Sequence, residues 1–303
     1  VSSPSGTPTV HAVVLTWNAV DLAEQCIRSL DRLDEPHPRV IVVDNGSTDG
    51  TEERIRAAYP LVTVEQTGRN LGFAGGMNVG IRRALRDGAR YVWLLNNDTL
   101  PEPGALGALV AEAERHPSIG IAGSLLLESG PERRVQAWGG GSIGRWLGLT
   151  ELWTTPHGAR PPDYITGASM LLRRELLDDV GLLDEGFFVY FDDTDLSLRA
   201  RRCGWRLAVA ADSVVVHQGG ATLGTPDRPR SEEMDRHLVR SAGRFLARYL
   251  GWRLAVAAPV RLVSLIRRRL QLGQARRVPS LVREYLTGLV SGLRDRPRCA
   301  GRR

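Results

Sequence analysis

Three groups of polar side chains, each set directly behind an apolar run, have the make-up of a reaction centre. In Tyr-Val-Trp-Leu-Leu-Asn-Asn-Asp at 91–98, the apolar run ends abruptly in Asn96, Asn97 and Asp98. A carboxylate with two carboxamides and no adjacent cation suits a divalent ion that carries phosphates. His217 closes another apolar run, ahead of Gln218-Gly219-Gly220, and is the candidate second protein ligand. With two diphosphate oxygens and water, the pair would complete an octahedral Mg²⁺ or Mn²⁺. Asp192, Asp193 and Asp195 follow Phe187-Phe188-Val189-Tyr190-Phe191. Desolvation pushes the pKa of a carboxylate in such surroundings upward, which suits a general base that deprotonates a hydroxyl attacking an anomeric carbon. Each group also has a plainer reading: turn formers at a loop start, a strand-end histidine held by backbone, and acids favouring a helix dipole. Trp138, Trp146, Trp153 and Trp205 serve equally well as platforms for sugar faces or as hydrophobic cover.

These groups need a scaffold that gathers distant strand ends. Val10–Thr16 reads as a buried strand ending in Thr16-Trp17-Asn18, and Arg39–Asp44 as a second, ending in Asp44-Asn45-Gly46-Ser47. Leu22, Cys26, Ile27 and Leu30 recur with a helical period between them. Thr48 or Asp49 caps a helix to about Ala58, and Leu61–Glu65 forms a short third strand. The glycine-rich segment Gly68–Gly80 feeds a helix to about Arg86, stopped by Gly88. The fourth strand is 91–95. This β-α-β-α-β-α-β order predicts an α/β fold with a parallel sheet wound in the nucleotide-binding manner. Thr16–Asn18, Asp44–Ser47, Gly68–Gly80 and Asn96–Asp98 then all lie past strand carboxyl ends, where ligands bind.

Asp44 is placed to accept from the N3–H of a pyrimidine, and the turn at 70–78 lets backbone approach a phosphate at a helix start. That turn is neither a Walker loop, since Gly-Lys-Ser/Thr is missing, nor a dinucleotide fingerprint, which would follow the first strand. Further on the pattern predicts a helix over 103–116, a strand over 119–127, and an irregular or hairpin excursion over 129–162. A strand over 164–173, a short helix over 174–180, a helix opened by Asp192, strand-like runs at 206–210 and 213–217, and a Pro/Gly linker at 222–230 complete the body.

The net charge is +6, and every basic residue is arginine. From Arg236 onward 17 arginines face only Glu284 and Asp295, so the rest of the chain is net acidic. A basic tail on such a body points to a polyanionic partner, a membrane surface or nucleic acid. From Ser231 the tail is helical, with Leu238, Ala242, Phe245 and Tyr249 on one stripe and arginines 236, 240, 244 and 248 off it. That amphipathicity, with no known nucleic-acid module, favours a solvated or membrane-facing helix face, so no nucleic-acid partner is expected. Cys26, Cys203 and Cys299 are scattered and odd in number, indicating neither a disulfide framework nor a zinc site and pointing to a reducing compartment. Residues 1–9 read as a disordered leader rather than a secretory signal, and no run of about 18 apolar residues occurs.

Taken together, Val14–Asn18, Val43–Gly50, Asn70–Asn78, Leu95–Asp98, Gly181–Asp184, Tyr190–Leu196 and His217 resemble the family 2 glycosyltransferases, in unbroken order over about Val10–Gly220. The nearest subgroup is the bacterial rhamnosyltransferase-type enzymes. The resemblance implies a GT-A fold, a Rossmann-like, mostly parallel sheet flanked by helices, and an inverting, metal-dependent transfer from a nucleotide-diphosphate sugar. Thr16, Asn18 and Asp44 would hold the nucleoside, with Asn70, Gly76 and Asn78 near the ribose and diphosphate. Asp98 and His217 would bind the metal, Asp193 would be the base, and Asp192 and Asp195 would support it or contact the acceptor, alongside Trp138 and Trp153.

Asn96, on the donor side, departs from the Asp that many members carry, which removes one negative charge near the metal. The implied donor is dTDP-rhamnose, with UDP-galactofuranose, UDP-glucose and UDP-N-acetylglucosamine as alternatives. The acceptor is a hydroxyl on a glycan, glycolipid or small molecule. A same-fold nucleotidyltransferase lacks support because Thr16–Asn18 carries no glycine-rich basic signature, and a dead sugar-nucleotide binder would lack Asp98 or Asp193. The expected organisation is a transferase domain over 10–230, divided into a nucleotide-binding half (10–100) and an acceptor and catalytic half (101–230), followed by a basic helical region over 231–303. That region would touch a membrane surface or pair two subunits, in a cytoplasmic protein peripheral to the inner membrane face.

Overall fold

The order β1 (Val10–Thr16), α1 (Val20–Leu30), β2 (Arg39–Asp44), α2 (Thr51–Ala58), β3 (Thr63–Gln66), α3 (Gly72–Arg86) and β4 (Tyr91–Asn96) forms the first half of the chain. These strands pair in parallel as β3-β2-β1-β4. The computed structural model describes residues 8–158, 160–219 and 231–295. The first strands are unbroken apolar runs because helices cover both faces of the sheet. Along β1 and β4, Ala12, Val14, Tyr91, Trp93 and Leu95 pack with α1 and the later helix α4 (Ala105–Glu114), whereas Val13, Val92 and Leu94 pack with α3 on the other side. The chain leaves β1 toward β2 and β3, then returns to place β4 on the opposite flank of β1. That reversal opens a crevice at the carboxyl ends of β1 and β4, with Leu15 paired to Asn96 and Thr16 to Asp44.

The second half extends the same sheet with β5 (Thr99–Pro101), β6 (Ile119–Glu128), β7 (Val135–Trp138), β11 (Ser169–Arg173) and β12 (Arg206–His217), in the order β4-β11-β6-β12-β5 with β7 beside β6. β11 runs antiparallel to β4 and β6, so the sheet is mostly parallel rather than wholly so. Between β7 and β11, strands β8 (Gly140–Ile143), β9 (Thr150–Leu152) and β10 (Tyr164–Ile165) make a small antiparallel sheet; of the irregular or hairpin excursion expected at 129–162, β8 and β9 are the hairpin. Helices α5 (Arg174–Val180) and α6 (Asp192–Arg202) lie between β11 and β12. A run of buried polar groups crosses the sheet: Trp93 Nε1 donates to Ser169 Oγ at 3.0 Å, and Ser124 Oγ joins Ser169 and Ser213 at 2.7 and 2.8 Å. Each is satisfied by its neighbour, which is how hydroxyls are tolerated in a core.

Several expected boundaries move. The two runs at 206–210 and 213–217 are one strand, interrupted by a register shift between Ala210 and Val214. The strand expected over 164–173 breaks at Thr166–Ala168, where Gly167 turns its N–H to another partner. The expected leader ends before Thr9, whose carbonyl accepts from Arg90 N and Tyr91 N; residues 1–7, the linker at 222–230 and Cys299 lie outside the described residues. Cys26 is a buried free thiol, pushed up to about 12 by burial, whereas Cys203 is disulfide-bonded, against the expectation drawn from cysteine spacing.

Helices α7 (Glu232–Tyr249), α8 (Leu254–Gln271) and α9 (Val278–Arg294) follow. Ser231 caps α7 by accepting from Met234 N at 3.1 Å. Of the four α7 arginines expected off the buried stripe, Arg236 and Arg240 are exposed, whereas Arg244 and Arg248 are not. Arg244 is buried and pairs with Asp184 at 2.8 Å, and Arg248 pairs with Asp184 and with Asp195. α7 is held between the 184–195 segment and α9, so more than one of its faces is covered. Gly243, Gly288 and Gly292 let α7 and α9 approach backbone to backbone. A Cβ at Gly288 would overlap the Arg240 carbonyl and sit 2.9 Å from Arg244 N, so Gly288→Val forces the helices apart. The expected cost is roughly 3 kcal/mol, read as a fall in the midpoint of chemical denaturation.

Candidate active site

The nucleoside side is built from the ends of β1 and β2. Thr16 is buried and accepts from Asn97 Nδ2 at 3.0 Å, tying the β1 end to the β4 end. Asn18 holds a left-handed backbone (φ 48°), fixed by two bonds: its Oδ1 accepts from Thr48 N at 2.8 Å and its N–H donates to Ser47 Oγ at 2.9 Å. Asp44 is buried and accepts from Ser47 N and Gln66 Nε2, both at 2.9 Å. A carboxylate has about four acceptor positions, so Asp44 retains capacity for a further donor. Trp17, which sequence reasoning passed over, stands half exposed between Thr16 and Asn18. An exposed ring at a strand end was the available signal.

The glycine-rich turn is organised by Asn45, another residue not singled out from sequence. Its Nδ2 donates to Asn70 Oδ1 at 3.1 Å and Gly72 O at 3.0 Å, and its Oδ1 accepts from Leu71 N at 3.0 Å. Asn70 thereby braces the turn, accepting also from Gly72 N at 2.8 Å. Gly76 allows α3 to seat against Leu15 and Asn45, where a side chain would collide. Asn78 was expected near the ribose and diphosphate. Its carboxamide is instead engaged by Leu183 and Glu185: Nδ2 donates to Leu183 O at 2.9 Å and to Glu185 Oε1 at 3.0 Å, and Oδ1 accepts from Leu183 N at 3.1 Å. It is a clamp between α3 and the segment leading to α6.

Asp98 and His217 meet because β5 and β12 are antiparallel partners, with Thr99 opposite His217 and Gln218 N donating to Asp98 O at 2.8 Å. Asp98 Oδ1 lies 3.2 Å from His217 Nε2, both nearly buried. On the other side of the ring, His217 Nδ1 lies 2.6 Å from Gln136 Oε1, and Asn96 Nδ2 approaches Nε2 at 3.5 Å. A carboxamide oxygen only accepts, so Nδ1 carries the proton, and in the neutral imidazole Nε2 presents a lone pair. Two acceptors then face one another across 3.2 Å in a dry setting, an arrangement that calls for a cation. Two neighbouring ligands of an octahedral ion with bonds of about 2.1 Å lie roughly 3 Å apart, so this donor set fits Mg²⁺ or Mn²⁺.

The described residues contain no cluster of three acidic, histidine or cysteine ligands, so an ion held here would draw its other ligands from substrate and water. Gln136 sits in the irregular stretch that sequence reading left without function. Gln136→Leu should weaken Mn²⁺ binding about 10–100-fold, read by Mn²⁺ electron paramagnetic resonance, with little change in melting temperature.

The acidic cluster is delivered by an unusual backbone. Tyr190 and Phe191 are consecutive non-glycine residues with φ 65°, and Phe191 forms the N-terminal cap of α6. Such conformations persist only where surroundings impose them. Here Phe191 stacks on Phe245 of α7 at 4.9 Å, Phe188 stacks on His237 at 3.9 Å, and Ser241 Oγ donates to Val189 O at 2.9 Å. Phe73 N donates to Phe188 O at 2.6 Å, drawing the glycine-rich turn onto the same segment.

Asp193 Oδ2 accepts from Gly167 N at 2.9 Å, and Oδ1 from Thr194 N at 2.6 Å. The next residue, Ala168, accepts from Asn96 N at 3.2 Å, so the loop at 166–168 links Asp193 directly to the metal-side strand end. Burial raises the pKa of Asp193, against those stabilising hydrogen bonds. Asp192 is raised well above the ordinary carboxylate value by burial and then by the charge of Asp193.

Other expected acceptor-side residues separate from this group. Asp195 is fully buried, with Oδ2 accepting from Arg199 Nε at 2.7 Å and Oδ1 from Tyr249 Oη at 2.6 Å. It joins α6 to α7 and has no free face for an acceptor. Trp153 is buried and stacks flat on His157 at 4.1 Å, so it belongs to the cover of the small sheet. Trp138 is half-buried on β7, two residues from Gln136, where the register between β6 and β7 shifts.

Residues 12–181, more than half of the chain, match the family model described as glycosyl transferase family 2. The chain is 30% identical, over 81% of its length and 87% of the relative's, to N-acetylglucosaminyl-diphospho-decaprenol L-rhamnosyltransferase of Mycobacterium tuberculosis. It is 27% identical, over 71% of its length and 72% of the relative's, to galactofuranosyltransferase GlfT1 of Mycolicibacterium smegmatis. Among solved structures, a mannosyltransferase from Pyrobaculum calidifontis, in complex with GDP-Man and Mn²⁺, aligns over 95% of this chain and 88% of its own. The TM-score is 0.56 at 19% identity, a likeness of fold. The sheet is that of the GT-A fold, and the chain belongs to glycosyl transferase family 2, as a glycosyltransferase that uses a nucleotide sugar.

Proposed function

We propose that the protein transfers L-rhamnose from dTDP-rhamnose, with inversion, to a hydroxyl of a lipid-linked glycan acceptor. The observation that carries the reading is the convergence at one sheet edge of the Asp98–His217 acceptor pair and, through Gly167 and Ala168, of Asp193. Asp193 takes the acceptor's proton as the hydroxyl oxygen bonds to the anomeric carbon and the bond to the nucleoside diphosphate breaks on the opposite face. Asp98 and His217 would hold a divalent ion, which when bound stabilises charge on the departing diphosphate. Thr16, Asn18 and Asp44 hold the nucleoside, and Asp44 selects a pyrimidine by accepting its N3–H. The rhamnosyltransferase relative supports the sugar and the lipid-linked acceptor. A UDP-galactofuranose donor is the second reading, favoured by the GlfT1 relative. Residues 10–230 form the transferase unit, acting at the inner membrane face.

The test is thermal shift with UDP, dTDP and GDP, each with and without Mn²⁺ or Mg²⁺, followed by transfer assays with the matching sugars. Ligand at about 100 times its Kd stabilises the native state by roughly 2.7 kcal/mol. A metal-dependent shift with dTDP is expected; a shift with UDP alone moves the reading to galactofuranose. Absence of a shift with every nucleotide would remove the donor site and with it the proposal.

A further inference from the structure

We infer that the outward face of α8 is a docking surface for an anionic lipid bilayer. This deepens the lipid-linked acceptor reading, but it stands on observations of its own. α8 has two faces. Leu254, Ala257, Leu262 and Leu265 turn inward to the small core shared with α7 and α9. Val256, Val260, Val263 and Leu270 recur at helical spacing on an outer stripe that Trp252, in the turn before α8, extends, and all are exposed, Trp252 at 71%. The stripe continues beyond the helix. Trp146, in the β8–β9 turn, meets Trp252 edge to face with ring centroids 5.7 Å apart, and Leu149 beside it is exposed as well. A contiguous apolar surface of this kind marks an interaction site. Tryptophan, with an apolar body and one polar edge, suits a surface that is oily on one side and wet on the other.

Charge selects the occupant. Arg267 and Arg268 are exposed and line a shallow groove with Pro259, Val260 and Val263. Between Asp235 and Glu284 the sequence contains no acidic residue. A second copy docked two-fold through this face would gather both sets of arginines into one interface with no acid on either α8 to offset them. Lipid phosphates complement the same arginines while acyl chains receive the apolar stripe. No helix among the described residues is long and apolar enough to cross a membrane, so α8 would lie along the surface.

The test is flotation of the full chain with vesicles of phosphatidylcholine alone, and of phosphatidylcholine with about one part in three phosphatidylglycerol. Binding to the anionic vesicles should be at least about tenfold tighter and should weaken with salt. Arg267→Glu with Arg268→Glu, and separately Trp252→Ser with Val260→Ser and Val263→Ser, should each lower it at least about tenfold. Melting temperature and the nucleotide-induced shift should stay unchanged. Equal vesicle binding by the wild type and both variants overturns the proposal. So does a stripe variant that converts a dimer to a monomer in ultracentrifugation while still floating, which would assign the face to a second copy. Failure of the transferase reading would show separately, in the nucleotide shift that no α8 substitution touches.

Discussion

Asp193→Asn should lower kcat by about 10²–10⁴-fold, the range for removal of a general base, while nucleotide affinity is kept. The amide preserves the shape of the side chain, and its single oxygen can keep one of the two bonds, from Gly167 N or from Thr194 N, while its NH2 loses the other. Proton acceptance is lost, and a melting curve reads how much of the loop anchoring goes with it. In the wild type the acid limb of kcat/KM should lie above the ordinary carboxylate range. The sign follows from burial: desolvation disfavours the charged form of Asp193, its pKa rises, and the base is lost to protonation at a higher pH than an exposed aspartate would be. Asp192 is raised for the same reason, so the limb reports the pair rather than one residue. Near-normal turnover in the Asn variant would place the base elsewhere.

The second large effect is at the metal side. Asp98→Asn should weaken Mn²⁺ binding by more than about 100-fold and lower kcat/KM by a similar factor. The metal-free protein should become more stable, by about 1 kcal/mol. With His217 neutral, a carboxylate oxygen faces the lone pair of its Nε2 at 3.2 Å, whereas an amide can donate to it. Stability and metal affinity therefore move in opposite directions, a split that a structural carboxylate would not give. Calorimetric melting with and without Mn²⁺ reads both. A variant that loses stability in the absence of metal would show Asp98 to be a structural acceptor of the histidine proton.

Much of this site could be read from the chain because its parts close apolar runs. Asp98 follows β4 and His217 ends β12, and a strand that leaves a covered sheet exposes its last residue at the sheet edge. What escaped the reading was the direction of side chains on helices. Asn78 falls inside the glycine-rich motif, but two residues from Gly76 means roughly 200° around a helix, so the two face different neighbours. Asp195 is likewise two residues from Asp193 and turns away from it. Its spacing of four from Arg199 was a legible sign of an internal ion pair. Gln136 could not be found, since nothing in an irregular, arginine- and glycine-rich stretch marks the residue that will meet a histidine 81 positions later. Arg244 and Arg248 looked solvated because their partner Asp184 lies 60 and 64 residues away.

That last pairing bears on how such enzymes can be recombined. The carboxylates of Asp184 and Asp195 flank the segment that presents Asp193, and both are neutralised by arginines of α7; Asp195 is bound as well by Tyr249. A chimera joined at residue 231, taking its tail from a relative, would leave Asp184 without its two cations and Asp195 with Arg199 of α6 alone, unless the donor helix offers cations at the same two turns. Breaking one side of a buried pair costs about 3–5 kcal/mol, a large part of the stability of an ordinary domain. A swap of tails therefore has its better joint after α7, with Arg244, Arg248 and Tyr249 kept from the host, provided the incoming α9 carries the glycines that let it lie against α7.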